Sequence, residues 1–121
     1  MNRLAALLLL VLLSGAARAD APDDGSALLQ AVEQAIGTPR CERDAQCRTV
    51  ALGARACGGP ESYRAHSLTG RDAARLEQLA EQHRLTRQAL QQRSGRVGIC
   101  QFLADPGARC VAQRCELLSS P

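Results

Sequence analysis

Six cysteines constrain this 121-residue chain more than any other feature: Cys41, Cys47, Cys57, Cys100, Cys110 and Cys115. Their number is even and no C-x-x-C pair occurs. The two histidines, His66 and His83, stand outside any usual zinc-ligand spacing. Paired cysteines are therefore expected, with no metal, no other cofactor and no reactive thiol left over. Cross-links of this kind belong to an oxidising compartment.

The N-terminus reads as the address for one. Arg3 supplies a positive charge and Leu4 to Leu13 form a ten-residue apolar run. That run is too short to span a hydrocarbon core of roughly 30 Å. Ser14-Gly15 interrupts it, and Ala17-Arg18-Ala19 places small residues where a signal peptidase needs them. Residues 1–19 are thus expected to be a signal peptide, cut between Ala19 and Asp20. No cysteine stands at the cut, so neither a lipid nor another stable membrane anchor is expected. The product would be exported, either periplasmic or secreted.

Two of the 15 basic residues, Arg3 and Arg18, leave with the signal, while all 12 acidic residues stay, so the formal charge of +3 falls to +1. A near-neutral chain gives no reason to expect a nucleic-acid partner. The mature chain is long enough for one small domain. Tyr63 and Phe102 are its only aromatic residues. The core must then be aliphatic and thin, with cross-links making up the deficit.

Residues 20–25 read as a flexible acidic leader, 26–118 as a single disulfide-rich domain, and 119–121 as a tail. Leu28, Leu29, Val32 and Ile36 recur at helical spacing over Ser26 to Ile36, and Gly37 with Pro39 ends that helix. Val50 and Leu52 alternate in a strand from Cys47 to Ala54. A long helix is expected from Thr69, an N-cap candidate, to Ser94 before Gly95. Ala73, Leu76, Leu79, Ala80, His83 and Leu90 form its inner stripe. Val97 to Leu103 reads as a further strand, and Asp105-Pro106-Gly107 as a turn. Arg109 to Leu118 reads as a hairpin with its tip at Ala112-Gln113. The fold class is α+β: a small disulfide-stabilised domain with a long helix packed on a short antiparallel sheet.

The stretch Cys57-Gly58-Gly59-Pro60-Glu61-Ser62-Tyr63 joins the first strand to the long helix. Two glycines, a proline and a cysteine make a rigid turn from it. A loop held in one shape loses little entropy on binding. Gly58, Gly59, Pro60, Glu61, Tyr63, Arg64 and His66 are accordingly the candidate binding residues. The reading is a non-enzymatic exported module of the cell envelope that binds a protein partner. The competing reading for the turn is structural, with Tyr63 filling the core. Two alternatives belong to other classes. The arginines of the long helix, mixed with Glu77 and Glu81, could hold a polyanion or envelope surface. A small hydrolase would need Ser62 or Ser67 beside His66 or His83, but no G-x-S-x-G elbow is present. No catalytic residue is assigned.

The array C-x5-C-R-T-V-A-L-G-A-R-A-C-G-G-P-E-S-Y, followed by a helix, I-C and a closing C-x4-C, resembles a family of uncharacterised small exported bacterial proteins. The likeness runs from Cys41 to Leu117, centres on Cys-Gly-Gly-Pro-x-x-Tyr, and implies the scaffold without an activity. Cys41, Asp44 and Cys47 with the closing C-x4-C also faintly resemble whey-acidic-type protease inhibitors, which implies that protease inhibition is one form the binding could take.

Fifteen pairings of six cysteines exist. Cys57–Cys100 is favoured because it would close the loop containing the long helix, worth about 4 kcal/mol through chain entropy. For the other four, the inhibitor resemblance implies Cys41–Cys110 and Cys47–Cys115. Pairing of neighbours, Cys41–Cys47 and Cys110–Cys115, is the rival. The intact mass of the exported protein is expected to correspond to a chain beginning at Asp20 with no acyl group.

Overall fold

The computed structural model describes residues 23–119, apart from residues 71 and 99. The expected signal peptide and cleavage point, the start of the leader and the last two residues of the tail lie outside the described residues. In order, the elements are α1 (Ser26–Ile36), β1 (Cys47–Leu52), β2 (Ser62–Ser67), α2 (Ala73–Ser94), β3 (Ala108–Val111) and β4 (Arg114–Leu117). A single 3-10 turn, Asp44–Gln46, leads into β1. Gln46 steadies it by accepting the Glu42 N–H with its side-chain oxygen at 2.7 Å.

Two antiparallel hairpins replace a continuous sheet. In the first, Cys47 faces Ser67 and Leu52 faces Ser62. In the second, Cys110 faces Cys115 and Val111 faces Arg114 across the Ala112-Gln113 tip. Both tip residues have positive φ, 47° and 63°. A two-residue tip of this hand matches the twist of its strands but strains residues that carry a Cβ. An isolated bridge between Arg40 and Arg114 ties the segment before β1 to the second hairpin.

The apolar residues make one small core. Val32 from α1, Leu52 from β1, and Leu76 and Ala80 from α2 are buried together, with Leu29, Ile36, Val50 and Leu79 around them. The long helix therefore lies on the first hairpin beside α1, and the architecture is α+β as expected. A second buried cluster is sulfur: Cys41, Cys47 and Cys115, with Ala65, Ala108 and Cys110 against it. Disulfides join Cys41 to Cys110, Cys47 to Cys115 and Cys57 to Cys100. No cysteine is free. Three disulfides indicate an oxidising environment. Among the described residues, no helix is long and apolar enough to cross a membrane.

Four local expectations need correction. Residues 62–67 form a strand, not the end of a loop, because their backbone pairs with β1 throughout. The described residues of 97–103 do not form a strand. The carbonyls of Gln101 and Leu103 accept side-chain donors, Arg55 at 3.0 Å and Tyr63 at 3.3 Å, in place of a neighbouring ladder. Helix α2 begins at Ala73, and Thr69 does not cap it. The Thr69 hydroxyl bonds the Ser67 hydroxyl and the Arg40 carbonyl instead. Finally, the leader is anchored at its end: Gly25 is buried, and Arg87 donates to the Asp24 carbonyl at 3.1 Å.

Cys57 and Cys100 are 43 residues apart and enclose β2 and α2. Replacing both by serine is expected to lower the unfolding free energy by about 4 kcal/mol. Urea denaturation of the double variant checks this.

Candidate binding site

Strand β1 ends at Leu52, and the chain must reverse before β2. Gly53 begins the reversal with φ at 77°. A Cβ there would lie 2.6 Å from Oε2 of Glu61 and would displace that side chain, while the positive φ itself favours glycine. The Glu61 N–H donates to the Leu52 carbonyl at 2.8 Å and closes the base of the turn. Above it, Arg55 N–H donates to the Gly59 carbonyl at 2.9 Å, and Gly58 N–H to the Arg55 carbonyl at 3.0 Å. The turn is thus bonded to itself before any partner is considered.

A second, irregular segment is fastened to this turn. The Cys57–Cys100 disulfide joins them covalently. Arg55 and Tyr63 donate to its carbonyls, and Thr49 donates to the Asp105 carboxylate at 2.7 Å. Phe102, on this segment, lies over the turn: a Cβ at Gly59 would come within 3.3 Å of its ring. The other face of Phe102 is open, and the residue is 70% exposed.

The candidate residues read from the sequence divide. Gly58 and Gly59 are exposed at the turn, with Pro60 half-buried beside them. Glu61 turns inward and pairs with Arg87 at 3.0 Å. Tyr63, Arg64 and His66 stand on β2 and not on a loop. Tyr63 braces the segment through Leu103 and does not sit under α2 as a core residue. Arg64 pairs with Glu33 of α1 at 2.8 Å. His66 is buried, with 8% of its surface exposed. The structure brings the first three together with Phe102, Gln101 and Arg96, which the sequence reading had assigned to a strand or left aside. The signal that could have found them is Gly98 amid an apolar run: a glycine weakens a strand interior.

Behind the turn a cleft of about 490 Å³ opens toward the second half of α2. Arginine and glutamine side chains make its polar wall, and among the described residues none that bears a carboxylate side chain lines it. Two arginines of the helix are partly neutralised, Arg84 in the lining of the cleft and Arg87 outside it. Arg84 forms two bonds to Glu81, at 2.7 and 2.8 Å, and Arg87 is held by Glu61. The Glu81 partner also pushes the Arg84 pKa up, while Arg84 holds the Glu81 carboxyl below its usual range.

The remaining candidates for chemistry are placed as follows. Ser67 bonds Thr69, and Nδ1 of both His66 and His83 is without a hydrogen-bond partner among the described residues. The sulfurs of Cys41, Cys47 and Cys115 lie within 4.8 Å of one another. Each is bonded to another sulfur, so none is the thiolate that a metal requires. Compared with family models, curated proteins and solved structures, the chain matches none.

The histidines do make the fold sensitive to pH. Burial lowers the pKa of His83 below its ordinary 6.5, with Glu61 opposing and Arg87 reinforcing the shift. Burial lowers that of His66 as well, against the Ser67 backbone and Glu77. The unfolded chain takes up protons near 6.5 that the folded chain resists. Stability is therefore expected to fall as pH drops through 6.5 and to level off below the folded-state values. Thermal unfolding between about pH 7.5 and about pH 5 checks this, and His83→Gln should flatten the slope.

Proposed function

We propose that this chain is a non-enzymatic binding module, exported to the cell envelope, whose protein partner docks on the turn at Cys57–Pro60 and the segment around Phe102. The observation that carries the reading is the 70% exposed Phe102, seated on Gly58-Gly59 of a disulfide-braced turn. An exposed aromatic side chain costs little entropy to immobilise and buries a large area against a partner, so residues of this kind anchor interfaces. Cross-linking supplies the preorganisation that a small module needs to bind tightly.

A protease is the partner class to test first. An exposed segment held at its cysteine by the disulfide and beyond it by bonds to Gln101, Leu103 and Asp105 offers the rigidity that an inhibitor's loop must have. The arginine-rich face of α2 is the weaker candidate, because Glu81 and Glu61 already occupy Arg84 and Arg87.

The test is a panel of serine and cysteine proteases assayed with the oxidised protein. Inhibition of at least one is expected. Phe102→Ala should weaken it by about tenfold or more, as expected for an interface anchor. Stability should change by no more than roughly 0.5 kcal/mol, since most of the ring faces solvent. A panel with no inhibition removes the inhibitor reading.

A further inference from the structure

The cleft behind the Cys57 turn has a chemistry of its own. One wall is backbone and small side chains of the turn; the other is the second half of α2. Arg55, Arg84 and Arg96 line it together with Gln88, Gln91 and Gln92; the Gln88 side-chain oxygen already accepts from Arg84 at 3.1 Å, which leaves its amide N–H groups and the other two carboxamides to a ligand. Glu81 offsets Arg84, but neither Arg55 nor Arg96 forms an ion pair among the described residues. Two guanidinium groups are thus left uncompensated around a concave surface of ligand size.

We infer that this cleft binds an acidic peptide segment, with Arg55 and Arg96 taking carboxylates and the glutamines taking the peptide backbone. The inference rests on the reading of the chain as a binding module and names a ligand class for the same turn. Guanidinium groups match carboxylates in shape and charge, and bond them more strongly than neutral donors do. Carboxamides both donate and accept, as peptide groups do, so the glutamine row favours a peptide over a bare anion. Arg55 already donates to the Gln101 carbonyl, so its guanidinium is held in place before any ligand arrives.

Calorimetric titration of the full, oxidised chain tests this with two synthetic peptides, Gly-Glu-Glu-Glu-Glu-Gly and the same peptide with glutamine for every glutamate. The acidic peptide should bind at least about tenfold more tightly, and more weakly as salt is added. Arg96→Gln should weaken it by about tenfold or more, while Arg75→Gln, outside the cleft, should leave it unchanged. Equal affinity for the two peptides on the unaltered protein overturns the proposal. So does an equal loss with Arg75→Gln, which would make the helix face a diffuse polyanion surface. Displacement by inorganic phosphate at concentrations equal to the peptide's would overturn it in favour of a simple anion site. Protease inhibition that depends on Phe102 is read separately. Its absence, with acidic-peptide binding retained, refutes the inhibitor reading and leaves the cleft assignment standing; the reverse result refutes the cleft assignment alone.

Discussion

The joint between the first hairpin and the C-terminal hairpin is covalent, and the rest of the fold depends on it. Cys47–Cys115 joins β1 to β4, and Cys41–Cys110 joins the segment before β1 to β3. Few apolar side chains are available to do this work: Leu52, Leu76 and Val32 are the largest that are fully buried, and they belong to the helix side. The C-terminal hairpin has only four residues in each strand, too few to stand alone in water. Beside the disulfides its backbone also bonds to the segment before β1, with Cys115 N–H donating to Pro39 and Cys41 N–H to Gln113. Asp44 completes the joint by accepting the Cys110 N–H at 2.8 Å. The strained tip at Ala112-Gln113 is tolerable because both strands leaving it are cross-linked within two residues.

On the helix side a polar contact plays the corresponding part. Glu61 lies over Gly53 at the base of the turn and pairs with Arg87. Arg87 continues to the Asp24 carbonyl at the start of α1. One carboxylate thereby links the β1–β2 turn, α2 and α1. Both side chains are about 29% exposed, an intermediate burial in which screening is reduced and desolvation is incomplete. His83 fills the space beside this link, against Gly25, where any side chain at residue 25 would press on its ring. A protonated His83 would add a cation next to Arg87, which is why burial and Arg87 act in the same direction on its titration.

How much could be read from the residues depended on whether an element's role was local. Helix α1 was legible because Leu28, Leu29, Val32 and Ile36 repeat with the helical period, and its bounds agree with the structure. The inner stripe of α2 was legible too, with Leu76, Ala80 and His83 all buried. Strand β2 was not, because its inward residues are small or polar: Ala65 meets the sulfur cluster, and His66 and Ser67 are buried without an apolar pattern. Segment 97–103 misled in the opposite sense. Its apolar residues suggest a strand, yet Val97 is 95% exposed and Phe102 faces solvent. Apolarity there serves the surface, and periodicity cannot tell surface from core. The Cys57-Gly58-Gly59-Pro60 turn was visible in the sequence. Its companions from α2 and the segment around Phe102 were not, since they arrive only through tertiary packing.

The turn occupies an unusual position as a result. Gly58 and Gly59 touch Phe102 and also line the arginine–glutamine cleft, so a single rigid element borders an apolar contact and a charged one. A partner that used both would gain area from the ring and orientation from the guanidinium groups, which is the division of labour found in specific interfaces. The rigidity matters more than either contact alone. Were the turn free to move, ordering it would cost about 1–2 kcal/mol for each backbone residue fixed on binding. The disulfide at Cys57, the internal bonds of residues 55–59 and the Arg55 tie to Gln101 meet that cost during folding. Affinity at the proposed site would therefore depend on the same cross-link that encloses α2 in the fold.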